Sequence, residues 1–276
     1  MKPNLKITAF VSLILLSFNI IFAVGEQLDE FALFGRGAGS SGDYGISALW
    51  GNPAGLSKTA KYSASAAWQN MWGVSQYSQY IVGGYYSTKY LNMGLSIDYF
   101  GDPDIYSEMQ ASATIAGVLP RIYGIDPAWG TRIKYVDVGC PEPYGNVSTV
   151  LIDGGVTLFF SHRASLGFYA NNILNTQLVG YDINRLYSLG FRYDVSSWAS
   201  VFADVQISED GRGEVYLAQR LTIIRWLDLT AGLGGRPTRF FVGLNFIWND
   251  LAIGWGGTIH PELGMCNGGK ILWEKK

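Results

Sequence analysis

Apolar and polar positions alternate along most of this chain with a period of two. Residues 90–100 read YLNMGLSIDYF, so Leu91, Met93, Leu95, Ile97 and Tyr99 share one face of an extended chain, against Asn92, Gly94, Ser96 and Asp98 on the other. Tyr187, Leu189, Phe191, Tyr193 and Val195 repeat the pattern with Ser188, Gly190, Arg192 and Asp194 between them. Phe240, Val242, Leu244, Phe246 and Trp248 do so against Phe241, Gly243, Asn245 and Ile247. Successive side chains of a strand point to opposite faces, whereas a helix repeats every 3.6 residues, so these segments are strands. The rule gives about fourteen: 62–72, 77–87, 90–100, 106–117, 128–138, 150–161, 164–171, 184–195, 199–208, 214–224, 227–235, 238–248, 250–260 and 264–273. Tight turns are expected at Ser87–Lys89 and Asn249–Asp250, and longer connections at 119–127 and 139–148, where Pro120, Pro127, Pro141 and Pro143 fall.

The polar face of these strands is small rather than charged. A water-facing sandwich surface would carry more Lys, Glu and Arg, and the whole chain is only 15% charged while 48% is hydrophobic and 35 of 276 residues are glycine. Disorder and collagen are excluded by that hydrophobicity and by the lack of a three-residue glycine period. Met1–Lys6 is basic, Ile7–Phe22 is mostly apolar and Ala23 is small, the order of an export signal. That stretch is short for a spanning helix, and no second apolar helix follows. Among structures that satisfy every backbone group in lipid, a closed barrel remains. The expected architecture is all-β: a single transmembrane antiparallel barrel of about 14 strands with a short N-terminal lumenal segment. Residues 1–23 are read as the signal peptide, 24–60 as the lumenal or periplasmic segment and 61–276 as the barrel, placed in the outer membrane with its apolar face against lipid. Strand-end aromatics, Tyr90, Tyr99, Trp226, Trp248, Trp255 and Trp273, are candidates for interfacial girdles.

Residues 26–57 do not read as wall. Gly35, Gly37, Gly39 and Gly42 make a polar path, and Asn52-Pro53-Ala54-Gly55-Leu56 carries a helix-start signature, with Asn52 as cap and Pro53 in the first helical position. No Gly-Lys-Ser/Thr follows the glycines, which removes a phosphate-binding reading. The segment is expected to occupy the periplasmic end of the lumen.

Ala48-Leu49-Trp50-Gly51-Asn52-Pro53-Ala54-Gly55-Leu56 resembles the N-terminal signature of the long-chain fatty acid transporter superfamily of outer-membrane barrels, and most closely its PorV/PorQ-like branch, which includes type IX secretion proteins. His260-Pro261-Glu262-Leu263-Gly264 resembles the approach to the last strand in that branch. The resemblance implies fourteen strands and one of two roles. Fatty acid transporters bind apolar ligands inside the barrel and release them through a wall opening; PorV-like proteins shuttle exported cargo. Passage of apolar small molecules across the outer membrane is the favoured reading. The alternatives are a PorV-like scaffold or shuttle with an exported protein or secretion component as partner, and a soluble exported β-sandwich binding module.

Nothing nominates an enzyme, a metal site or a cofactor. His162 and His260 stand apart without local ligands, and there is no Gly-x-Ser-x-Gly elbow. The net charge of −2 gives no reason to expect nucleic acid. Face assignment puts Asp98, Asp153, Arg192, Asp194, Asp204, Arg220 and Asp228 in the lumen, as a structural network or a solute-selecting constriction. Phe241 and Ile247 fall on the same inward face and are candidates to line an apolar pocket. Cys140 and Cys266 are compatible with a disulfide or with two thiols.

Overall fold

The computed structural model describes residues 43–141, 145–160, 162–178, 181–183 and 185–275. Residues 1–23, read above as a signal peptide, and the first part of the lead, 24–42, lie outside them. Sixteen strands run along the described chain: β1 Tyr62–Asn70, β2 Ser78–Ser87, β3 Asn92–Asp102, β4 Tyr106–Val118, β5 Asp126–Cys140, β6 Gly145–Phe159, β7 Ala164–Ala170, β8 Gln177–Leu178, β9 Tyr181–Asp182, β10 Leu186–Ser196, β11 Ala199–Ser208, β12 Gly213–Ile224, β13 Leu227–Gly234, β14 Arg239–Trp248, β15 Leu251–His260 and β16 Gly264–Lys275. Fourteen close into one antiparallel transmembrane barrel, each wall strand pairing with its neighbours in chain order; β8 and β9 form a separate two-stranded ladder. Closure is made by β1 against β16, in register from Tyr62–Lys275 to Asn70–Asn267. A closed wall leaves no edge of unpaired backbone, the condition for crossing lipid. It also removes the soluble sandwich alternative.

The period-two faces point as the pattern requires. Leu95 is 68% exposed on the outside while its neighbours Gly94 and Ser96 are buried within. An outward apolar residue faces lipid, so an arginine there must desolvate its charge. Leu95→Arg is expected to cost roughly 2–4 kcal/mol near midplane, and Ser96→Arg much less. Heat-modifiable gel migration against urea reads both; equal costs would contradict the face assignment.

Strands β1 and β16 start and finish the wall at the same end, here called the terminal end. Outside it lies a stacked aromatic series: Tyr62 against Tyr86 at 6.0 Å and against Trp273 at 5.9 Å, with Trp226 against Phe246 at 6.3 Å. Trp255 does not belong to a girdle. It pairs with Leu244 and Gly269 midway along β15.

The connection expected over 139–148 is mostly strand. The β5–β6 ladder continues to Cys140–Gly145, because backbone pairing does not need the apolar row that ends where Asp137 and Ser148 turn outward. Strand β7 is short. Its pairing with β6 ends at Gly154–Ala170, and β6 runs on through residues 145–153 beyond that point. There the chain after β7 takes over, with Ile173 N–H donating to Ile152 O at 2.9 Å. Among the described residues no disulfide links Cys140 to Cys266.

Candidate functional site

The described part of the lead lies inside the barrel. Two short 3-10 turns, Ile46–Leu49 and Pro53–Ser57, pack against β1 to β7 on one side of the lumen. The wall residues they touch, Asn92, Gly94, Gly130 and Thr157, are near the terminal ends of their strands, so the plug occupies that end.

Asn52 organises it. Its Oδ1 accepts the Ala54 N–H at 3.0 Å, the capping bond that a residue before Pro53 can make. Its Nδ2 donates to Thr157 Oγ1 at 3.1 Å and to Val156 O at 3.3 Å, joining the cap to β6. Asn92 Nδ2 donates to Leu56 O at 2.7 Å at the other end of the turn. Around the plug, wall glycines replace side chains. A Cβ on Gly130 would stand 2.5 Å from Ala54 N and 2.6 Å from Pro53 O; one on Gly155 would overlap Asn52 Oδ1; one on Gly83 would meet Leu49 and Trp50 at 3.0 Å. These inward glycines are the seat of the plug.

Two ion clusters hold plug to wall. Arg132 lays Nε and Nη2 on Asp153 at 2.9 and 2.6 Å and donates from Nη1 to Leu49 O at 2.6 Å. Lys134 approaches the same carboxylate at 2.9 Å, Tyr169 donates to it at 3.2 Å, and the Asn172 N–H reaches its Oδ1 at 3.1 Å. In the second cluster Arg192 bonds Asp43 at 2.6 Å from Nη1, and lays Nε and Nη2 on Asp194 at 3.1 and 3.2 Å. Ser200 donates to Asp194 at 2.7 Å. The Arg192 guanidinium also lies 4.0 Å from the Tyr44 ring centroid. In the plug itself, burial pushes the Lys58 ammonium below its usual range, opposed by Asp126; the ammonium sits 4.6 Å over the Phe159 ring.

The sequence-nominated residues therefore separate. Asn52, Pro53, Arg192 and Asp194 meet at the plug. Asp98 ends a different chain, Gln69 to Gln79 to Asp98, with 2.7 Å at each step. Arg220 stacks over Phe202 at 5.4 Å and makes no ion pair among the described residues, so a single transverse network of Arg192 and Arg220 is not formed. Phe241 is buried in an aromatic cluster with Phe202, Tyr216 and Ala218. Ile247 lies six residues further along β14, about 20 Å away at strand rise, so the two do not line one small pocket. Sequence reading missed Asp43, Arg132, Lys134, Tyr169 and the glycine seats. The even-numbered face of β5 carried a signal for Arg132 and Lys134.

A closed wall with a lipid-facing apolar surface and a polar, plugged lumen defines the fold of an outer-membrane barrel. No family model and no curated protein matches the chain. Solved structures do. The Pseudomonas putida toluene transporter TodX aligns with TM-score 0.60 at 11% identity, over 92% of this chain and 98% of that one. A Pseudomonas aeruginosa FadL homologue gives 0.60 at 11% identity, over 93% and 100%. The outer-membrane protein Omp33 of Acinetobacter baumannii gives 0.55 at 7%, over 78% and 98%. At these identities the likeness is one of fold. It corrects the branch inferred from residues 48–56: the barrels that resemble this chain are of the TodX and FadL kind, not the PorV/PorQ-like, type IX secretion branch.

Proposed function

We propose that the chain passes apolar small molecules across the outer membrane, with the terminal end facing the periplasm. The observation that carries this reading is the buried aromatic cluster of Phe202, Tyr216 and Phe241 on the inner face of the wall, in a lumen whose terminal end holds a wall-keyed plug. Apolar surface inside a membrane barrel has no part in holding the wall in lipid, and it is suited to an apolar solute. The fold likeness to a toluene transporter and a FadL homologue supports the same class. Polar solutes fit less well at the plugged end, where the charged groups Arg132, Asp153, Arg192 and Asp194 are engaged with one another and with the plug.

The test is binding. Purified folded barrel should retain a naphthalene-type fluorescent probe and release it to unlabelled toluene. Phe241→Ser should weaken the probe about tenfold or more, since one large apolar contact is worth roughly 1.5–3 kcal/mol. Ile247→Ser should change little. No binding by the wild type, or equal effects of the two substitutions, would contradict the reading.

A further inference from the structure

Strand β12 carries a polar side chain on its lipid face. Tyr216, Ala218 and Arg220 point into the lumen, the first two in the aromatic cluster and the third over the Phe202 ring. Val215, Leu217, Gln219 and Leu221 alternate with them and face lipid. Gln219 stands in the middle of that row, and among the described residues no hydrogen bond reaches its carboxamide. Depth keeps it from water. The strand ends at Ile224, five residues on, roughly 16 Å along the chain and about 12 Å in depth at a tilt of ~40°. A glutamine side chain does not extend that far.

The other outward side chains in the middle of the described strands are apolar or aromatic, with one exception, Thr131, whose hydroxyl donates to Asp153 O at 2.9 Å. Asn70 and Asn267 also face outward, but they pair with each other where β1 ends, at the rim of the wall. Lipid tails offer neither a donor nor an acceptor, so an unpaired carboxamide among them is costly and marks a contact with protein. The wall around Gln219 is low. Ala231 is directly opposite it on β13, and Ala203 lies on β11 opposite Leu217. Small side chains on either side let a second wall approach closely, and Val201, Leu217, Leu221 and Leu229 give that contact an apolar surround.

The group itself selects the partner. A carboxamide holds both a donor and an acceptor, so two of them related by a two-fold axis satisfy each other through two reciprocal N–H···O bonds. We propose that the outer face of β11 to β13 is the contact between two copies of this chain in the membrane, with the Gln219 carboxamides paired across a two-fold axis along the membrane normal. The contact lies wholly outside the wall and is independent of what the lumen carries.

Oligomeric state is the test, read on the folded full-length barrel by sedimentation equilibrium in a density-matched detergent and by photocrosslinking in intact outer membranes. The wild type should reach a monomer–dimer equilibrium. Gln219→Leu, which suits a lipid-facing site and keeps the wall intact, should weaken dimerisation about tenfold, the scale of two hydrogen bonds within a membrane. Ala231→Phe keeps the carboxamide but blocks the approach, and should weaken dimerisation at least as much; heat-modifiable migration confirms that both variants fold. A photoreactive phenylalanine in place of Leu217 should give an adduct of twice the monomer mass. A wild type that stays monomeric at every concentration, a dimer that survives Gln219→Leu unchanged, or an adduct only with lipid or with a protein of another mass would each overturn the proposal.

Discussion

Replacing Arg132 with alanine is expected to destabilise the barrel by about 3 kcal/mol and to loosen its plug. Asp153 would be left in the wall interior with its strongest partner gone, and removal of one member of a buried pair characteristically costs 3–5 kcal/mol. The lower end applies because Lys134 still approaches the carboxylate at 2.9 Å. The same substitution removes the bond from Arg132 Nη1 to Leu49 O, one of the ties between wall and plug. The double variant Arg132→Met with Asp153→Asn should recover part of the loss, because the stranded Asp153 charge is gone while the Lys134 ammonium gives up that carboxylate and the tie to Leu49 O stays broken. Urea titration of heat-modifiable migration measures the stabilities. If the single variant is as stable as the wild type, or the double is less stable than the single, the ion cluster does not have the structural weight assigned to it.

The second large effect concerns a single hydrogen atom of the wall. Gly155→Ala would place a methyl group over Asn52 Oδ1, while Gly154→Ala, one residue earlier and outward, meets only Ile173 Cδ1 at an ordinary 3.7 Å. The first should expel the Asn52 cap and its bonds to Thr157 and Val156, each worth about 1 kcal/mol. Single-channel conductance in planar bilayers should rise for Gly155→Ala and stay at the wild-type value for Gly154→Ala. A silent Gly155→Ala would mean that the plug is not seated on this glycine.

Much of the wall is legible in the residues themselves. Alternation alone places fourteen strands, because each has one face in lipid and one in the lumen, and both faces leave a compositional mark. It fails where a strand leaves the membrane: Asp137 and Ser148 interrupt the apolar row, but the ladder between β5 and β6 continues beyond them. The cap at Asn52 and the place of Pro53 follow from local chemistry, and they hold. What Asn52 touches does not follow, since Thr157 is 105 residues away and reaches it only through closure of the sheet. Register likewise makes the Arg132–Asp153 pair, which are directly opposed across β5 and β6. The glycine seats show the same limit. Gly130 and Gly155 look like any other small lumenal residue until the plug is laid against them. Phe241 and Ile247 share a face by periodicity, but a shared face extends along the whole strand and does not make a pocket.

Apolar solutes cross plain phospholipid unaided, so the central claim is best measured where the lipid itself resists them, in an asymmetric bilayer with a lipopolysaccharide outer leaflet. Labelled toluene is added on the lipopolysaccharide side and its arrival on the other is followed, with wild-type protein, with Gly155→Ala and with no protein. The account predicts flux well above the protein-free membrane for the wild type, reduced by Phe241→Ser and raised by Gly155→Ala. Toluene flux equal to the protein-free rate for both the wild type and the Gly155→Ala variant would contradict it.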